Sequence, residues 1–299
     1  KIKCPKCGGD AERETDTLDT FVDSSWYFLR YCDPKNNREP LDKLKAADWM
    51  PVDLYSGGAE HTTMHLLYSR FWYKAMFDCG LIPKEIGDEP YKERRNRGII
   101  LGPDGQKMSK SKGNVVDPDE YVEKFGADTV RTYLAFLGPY NEVGSYPWNP
   151  QAILGIRRFL DRVYRLAVSQ NLNAARALHR TVKIVGEDID AFRFNTAISA
   201  LMILLNEFEA SGVGLPAGKA GLTAYGVFLK LLAPVAPHLT EEIWQKLGNK
   251  TSIHLEPWPE YDPKLVEEET FELIVQINGK VRDKFEAPVN ISQAEAERL

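Results

Sequence analysis

Three lysines and two serines crowd into Lys107-Met108-Ser109-Lys110-Ser111-Lys112, with Gly113-Asn114 behind them. Mobile cationic groups between glycines suit a polyphosphate whose charge builds up during a reaction, because they can close over it and neutralise it. On composition alone such a run is more often plain solvated surface. A second string, Asp53-Leu54-Tyr55-Ser56-Gly57-Gly58-Ala59-Glu60-His61 with His65 beyond it, pairs glycines that let a ligand approach the backbone with two imidazoles four residues apart. That histidine pair fits a zinc site or a hydrogen-bonded core equally in spacing, but no HExxH pattern or nearby third ligand accompanies it. The third string, Asp19 to Tyr31 (DTFVDSSWYFLRY), carries aromatics that line either an apolar pocket or an ordinary core. Cys4-Pro5-Lys6-Cys7 is half of a zinc knuckle, and no second pair follows to close a four-ligand site. Zinc is therefore not expected here unless a segment outside this sequence supplies partners.

The elements around these strings follow from pattern. Pro51–Tyr55 reads as a short buried strand that Gly57-Gly58 breaks, and a helix is expected from about Glu60 to Asp78 with Gly80 at its C-terminal end. Residues 98–101 (GIIL) read as a second buried strand, which makes a βαβ unit and a parallel sheet. From Gln151 the period changes. Ile153, Ile156, Leu160, Val163 and Ala167 recur at helical spacing, while Arg157, Arg158, Arg162 and Arg165 occupy much of the remaining surface of that helix. A long apolar helix is expected over 195–208, a Gly-rich linker over 212–221, a further helix over 223–232, and one more capped by Thr240. Phe271 to Ile277 alternates like a strand, Asn278-Gly279 signals a hairpin, Lys280–Phe285 returns, and Ser292-x-x-Glu295 is a capping box.

Composition narrows the function classes. With 299 residues, a two- or three-domain chain is expected; 43% hydrophobic and 27% charged residues exclude a disordered tail, a collagen and a coiled-coil rod. Apolar runs such as Ala200–Leu205 are too short for a membrane span, and no leader opens the chain. A net charge of −5 makes a generic nucleic-acid binder a poor reading, so any such contact must use local basic faces. Four cysteines fit a reducing cytoplasm rather than a disulfide scaffold. The first residue is Lys1, and a preceding segment is expected.

The order of these strings changes the weighing. KMSKS followed by GN resembles the signature loop of class I aminoacyl-tRNA synthetases. Together with SSWYFLRY, GGAEH and the tail LIVQINGKVRDKFEAP it resembles the leucyl-tRNA synthetase family over nearly the whole chain. The resemblance implies an α/β fold. Residues 1–148 would be the second half of a Rossmann-type catalytic domain, residues 149–262 a helical tRNA-binding domain, and residues 263–299 the start of a small α/β domain. It implies ATP-dependent activation of leucine and its transfer to leucine tRNA, with ATP and Mg²⁺. Phe21, Tyr27, Tyr55, His61 and His65 would shape the leucine pocket. Gly57, Gly58, Glu60 and the backbone near Ile100 would meet adenosine, and Lys107, Met108, Ser109 and Lys110 would form the ATP loop, with Lys107 and Lys110 as the catalytic cations. Arg157, Arg158, Arg162 and Arg165 would face tRNA phosphates.

The His-Ile-Gly-His type motif of that family, its editing domain and its leucine-specific insertion are absent from this sequence. The expectation is a back half of the enzyme (a fragment, a truncated reading frame or one subunit of a split synthetase) that alone forms almost no leucyl-adenylate. The rival expectations are a tRNA-binding fragment without catalysis, and a valine or isoleucine specificity.

Overall fold

The computed structural model describes residues 2–18, 20–140, 142–166, 172–210, 224–266, 270–277, 280–288, 291–296 and 298. Their packing divides the chain into two compact units, Lys1–Ile99 with Asn141–Ser145, and Ile100–Tyr140 with Tyr146–Leu299.

The first unit opens with β1 (Ile2–Lys3) and β2 (Asp10–Ala11), an antiparallel pair whose turn is closed by Cys4 N–H donating to Gly9 O at 2.8 Å and Gly8 N–H to Cys4 O at 2.8 Å. Helices α1 (Phe21–Ser24), α2 (Tyr27–Cys32) and α3 (Lys43–Trp49) follow. Asp42 caps α3 by accepting from the Leu44 and Lys45 amides, which satisfies two of its orphan donors. Then comes β3 (Val52–Gly58), α4 (His65–Asp78) and β4 (Tyr91–Arg97), with β3 and β4 parallel and registered from Val52↔Tyr91 to Gly58↔Arg97. A small core of Phe28, Leu29, Leu41, Ala46, Met50, Tyr73, Met76 and Ile82 lies in this unit.

The βαβ unit is therefore present, but with a different second strand. Residues 98–101 contribute only the short, half-buried β5 (Ile99–Leu101), and β3 instead pairs with the charged run Tyr91-Lys92-Glu93-Arg94-Arg95-Asn96-Arg97. Parallel pairing is made by the backbone, which tolerates charged side chains wherever they reach solvent. The glycines also do not end β3, since Gly57 and Gly58 stay in register with Asn96 and Arg97. The helix expected from Glu60 begins at His65. Ala59–Thr63 is a 3₁₀ turn, and Met64 (φ −115°, ψ −98°) separates it from α4. The C-terminal end falls as expected: Gly80 at φ +70° lets Leu81 N–H reach Met76 O at 2.9 Å.

The second unit contains α5 (Pro118–Phe125), α6 (Ala127–Phe136), β6 (Ser145–Pro147), α7 (Ala152–Arg165), α8 (Leu172–Asp190), α9 (Phe194–Ala210), α10 (Ala224–Leu232), α11 (Pro237–Lys246) and α12 (Pro263–Val266). Its tail is the antiparallel pair β7 (Thr270–Ile277) and β8 (Lys280–Pro288), then α13 (Gln293–Ala296). Ile153, Ile156, Leu160 and Val163 of α7 enter one core with Leu201, Leu204, Leu205 and Phe208 of α9, Phe228 and Leu229 of α10, and Trp244 of α11. The apolar stripe read from the sequence is thus the buried face of α7. Ala167, the 212–221 linker and the Asn278-Gly279 turn lie outside the described residues. The capping box is formed, with Ser292 N–H donating to Glu295 Oε2 at 3.0 Å.

Two features of this unit differ from expectation. Helix α8 was not read from the sequence, although Leu178, Val182 and Val185 are buried on it. Its stop signal is Phe192 at φ +60°, with Arg193 N–H bonded back to Asp188 O at 2.7 Å, where pattern reading looks for glycine. Nor does Thr240 cap the helix that contains it. Its hydroxyl donates back to Ala236 O at 2.9 Å, and α11 starts earlier, at Pro237. The capping carboxylate comes from α6. Asp128, nearly buried, accepts from Leu239 N–H at 2.6 Å and pairs with His238 Nδ1 at 2.7 Å. No helix of the described residues is long and apolar enough to cross a membrane.

Candidate active site

In the first unit the site is built on the C-terminal end of β3 and the start of α4. The Tyr55 hydroxyl lies 2.7 Å from the Tyr27 hydroxyl and 2.6 Å from His65 Nε2, so the three side chains form one hydrogen-bonded chain. The Tyr55 ring stacks on Tyr91 with centroids 4.1 Å apart, and the Phe28 ring meets Tyr91 at 5.4 Å. Tyr91 itself donates to Ser69 Oγ of α4 at 2.9 Å, which ties strand to helix. Burial pushes the Tyr55 phenol far above its ordinary range, with the Tyr27 hydrogen bond acting in the same direction. Burial also holds His65 below the ordinary imidazole pKa, and the charges of His61 and Arg94 add to this. A neutral imidazole can accept the hydrogen bond of the Tyr55 hydroxyl.

Of the residues expected at the leucine pocket, Tyr27, Tyr55 and His65 converge directly. His61 is exposed on the 3₁₀ turn, its ring 6.5 Å from that of His65, so the two do not share a helix face. Phe21 stacks on Tyr68 of α4 at 5.5 Å. The glycines form a lip at the end of β3. A Cβ on Gly58 would overlap the Glu60 carboxylate, and one on Gly57 would come within 3.1 Å of both terminal nitrogens of Arg94. The space beside these glycines is thus taken by the Arg94 guanidinium and the Glu60 carboxylate, which a side chain at either position would displace.

Sequence reasoning missed Tyr91, Phe28 and Arg94. Tyr91 and Arg94 sit in a charged run with no apolar period, and only the register with β3 brings them to the site. Phe28 was read within the aromatic string but given no role.

In the second unit the Lys107–Asn114 loop is pinned at its base. Asn114 Oδ1 accepts from Ser109 N–H at 2.8 Å, and its Nδ2 donates to Asp104 Oδ2 at 3.0 Å and to Lys107 O at 3.3 Å. The Gln106 amide, followed by Asn114, keeps the Asp104 carboxyl below the usual carboxylate range. Met108 and Ile100 pack against the core of the unit. Lys110–Lys112 forms a 3₁₀ turn closed by Gly113 at φ +66°, and the Ser109 and Ser111 hydroxyls lie 2.8 Å apart. Lys107 and Lys110 are exposed, and among the described residues no carboxylate pairs with either. The anchored base and free ammonium groups are what an anion clamp requires.

The four arginines of α7 are not equivalent. Arg162 is bidentate on Glu209 (2.9 and 2.5 Å) and also reaches Asn206, while Arg157 pairs with Asp161 at 3.0 Å and donates to Phe125 O at 3.0 Å. Arg158 and Arg165 donate to carbonyls of their own helix, at 3.3 and 3.1 Å, and the charge of Arg165 also acts on Glu209. Cys4 and Cys7 sit on the turn between β1 and β2, where the Cys7 and Lys6 amides lower the Cys4 thiol below its ordinary pKa. Among the described residues no group of three or more His, Cys, Asp or Glu side chains is placed to hold a metal ion.

Comparisons with known proteins agree with this layout. Residues 2–143 match the family described as tRNA synthetases class I (I, L, M and V), and residues 172–297 match the anticodon-binding domain of tRNA ligase. The chain is 50% identical over 296 residues to the leucine–tRNA ligase of Herpetosiphon aurantiacus, covering 95% of this chain and 35% of that protein. It is 48% identical over 309 residues to that of Rubrobacter xylanophilus, covering 100% and 37%. Among solved structures it is similar to the Agrobacterium radiobacter K84 agnB2 LeuRS–tRNA–LeuAMS ternary complex, with a TM-score of 0.78 and 40% identity over 99% of this chain and 39% of that one. Mycobacterium tuberculosis methionyl-tRNA synthetase shares the fold, with a TM-score of 0.54 and 21% identity over 77% of this chain and 50% of that one. The chain spans about a third of the length of the curated relatives it matches.

Proposed function

Because the chain belongs to the class I tRNA synthetases over residues 2–143 and to their anticodon-binding family over residues 172–297, we propose that it is the part of a leucine–tRNA ligase carrying the nucleotide lip, one wall of the leucine pocket and the lysine loop. The reaction of the whole enzyme would be activation of leucine with ATP, followed by transfer to leucine tRNA. The observation that carries this reading is the placement, on one strand, of the Tyr55 hydroxyl chain to Tyr27 and His65 and the Gly57-Gly58 lip.

In this reading no residue of the chain acts as a covalent nucleophile. The leucine carboxylate attacks the α-phosphate in line, and the bond to the pyrophosphate breaks as the new one forms. Charge then accumulates on the leaving oxygens. Lys110 and Lys107 would neutralise it, with Ser109 and Met108 shaping the loop that presents them. Gly57, Gly58, Glu60 and backbone near Ile100 hold the adenosine, with Glu60 accepting from ribose hydroxyls. Tyr27, Tyr55, His65, Phe21 and His61 shape the leucine pocket. ATP with Mg²⁺ is what the class uses in general. The described residues offer no carboxylate cage for Mg²⁺, and a magnesium ion commonly takes much of its coordination from substrate phosphates and water. Zinc is no part of this proposal, because Cys4 and Cys7 could hold it only with partners from outside the chain.

The proposed organisation is 1–148 catalytic, 149–262 helical and tRNA-binding, and 263–299 the start of a small α/β domain. Arg158 is the strongest candidate for a phosphate contact, because Arg157 and Arg162 pair with Asp161 and Glu209 and the charge of Arg165 also acts on Glu209. The four free cysteines suit the cytoplasm.

The test is leucine-dependent pyrophosphate exchange, with the chain alone and with the N-terminal half of a leucine–tRNA ligase supplied in trans. Exchange near background alone, restored by the added half and specific for leucine, is expected. Restoration by valine or isoleucine instead, or no restoration at all, overturns the proposal. In filter binding with leucine tRNA, Arg158→Ala should weaken affinity and lower the salt slope by about one; unchanged affinity removes the arginine from the tRNA interface.

A further inference from the structure

The arginine behind the glycine lip has no role in the reading above, and its contacts are unusual for a strand side chain. Arg94 Nη1 donates to Tyr55 O at 3.0 Å and to Arg95 O at 3.2 Å, and Nη2 donates to Gly58 O at 3.1 Å. The guanidinium carbon lies 5.7 Å from the centroid of the Tyr55 ring. The Nε is buried without a partner, as is Oδ1 of Asn96 two residues on. A Cβ on Gly57 would press within 3.1 Å of both Nη atoms, so the glycine and the guanidinium share one volume. A planar fork with several fixed donors can tie two carbonyls together, whereas a lysine ammonium is a point charge on a flexible stem.

We propose that Arg94 is a positioning residue for the nucleotide lip. By bridging the carbonyls of Tyr55 and Gly58, it makes residues 55–58 a rigid ledge for the adenosine end of the activated amino acid, and a side chain at position 57 would have to push the guanidinium aside. The inference rests on the functional reading of the lip given above. It has a second consequence. The same positive charge adds, after burial and His61, to the lowering of the His65 pKa beside Tyr55 and Tyr27.

The experiment has two arms. In the first, amide hydrogen exchange and an NMR titration of His65 are measured on the full chain as wild type, Arg94→Leu and Arg94→Lys. Arg94→Leu should speed exchange of the Gly57, Gly58 and Ala59 amides by about tenfold or more, the scale of a lost charge-assisted hydrogen bond, with α9 amides unchanged, and His65 should titrate at higher pH. Arg94→Lys should keep His65 near its wild-type titration but not restore the lip. Lip amides unchanged in Arg94→Leu overturn the proposal. In the second arm, pyrophosphate exchange is measured with the N-terminal half supplied. Arg94→Leu should raise the KM for ATP about tenfold, more than it raises the KM for leucine. An active wild type whose ATP KM is insensitive to Arg94→Leu overturns the role of Arg94. An inactive wild type overturns the proposed activity instead, and the first arm then judges whether Arg94 holds the ledge.

Discussion

The helical unit and the lip unit differ most in the size of the apolar core each one buries. In the helical unit, large side chains with polar tips are buried and paired: Tyr225 donates to Val163 O at 2.6 Å, Trp244 Nε1 to Thr251 O at 3.0 Å, and Tyr133 accepts from Asn149 N–H at 2.8 Å. Among the described residues, Tyr73 OH, Arg94 Nε and Asn96 Oδ1 of the lip unit are buried without partners, as are Trp148 Nε1 and Asn195 Oδ1 of the helical unit, and both units expose apolar side chains, Leu67 and Phe71 of α4 among them. The apolar surface removed from water is therefore concentrated in the helical unit, and the proposed chemistry on β3, α4 and β4 rests on the smaller core.

The strongest way to break this contrast is to empty the larger core. Trp244→Ala removes a side chain that is 1% exposed and should cost about 3–5 kcal/mol in urea unfolding followed by circular dichroism. A loss below about 1 kcal/mol would show that the helical unit is not where stability resides. Next is Lys110→Ala. It should leave that unfolding curve unchanged and lower pyrophosphate exchange of the completed enzyme by about 10²–10³-fold, the usual scale for one transition-state charge partner. A stability loss with intact exchange would reverse the assignment of the loop.

Asp128→Ala tests the tertiary cap of α11. It deletes an acceptor used by Leu239 N–H and His238 Nδ1 and should cost about 1–3 kcal/mol of stability with little effect on exchange kinetics. The smallest effect is on pH. The His65 pKa is lowered in the folded state by burial, His61 and Arg94, with Tyr27 and Tyr55 also facing it. The unfolded chain then binds the proton more readily. The stabilisation is present above the ordinary value of 6.5 and is lost as pH falls through the lowered one. Protection against hydrogen exchange over residues 52–78, with the intrinsic pH dependence of amide exchange divided out, should fall between about pH 7 and pH 5, and His65→Gln should flatten that dependence. Faster exchange in the variant at every pH, with the slope unchanged, would place the titration elsewhere.

Much of the molecule was written locally. The stripe Ile153, Ile156, Leu160 and Val163, the strands either side of Asn278-Gly279, the Gly80 stop and the Ser292–Glu295 box are each settled within a few residues of chain, so spacing and capping chemistry reveal them. The same holds for the lysine loop and the GGAEH string, whose residue order alone carried the family. What the spacing misjudged has a common cause. The second parallel strand lies in Tyr91–Arg97, where charge hides it. The cap of α11 comes from Asp128, 111 residues from the amide it accepts. The Arg94 guanidinium meets carbonyls 36 and 39 residues away, and Arg162 is neutralised by Glu209, 47 residues away. Residue order thus determined the helices, the turns and the kind of chemistry. Only the folded chain decided which backbone groups share a guanidinium and which cations remain free, because those pairings depend on contacts that no local period encodes.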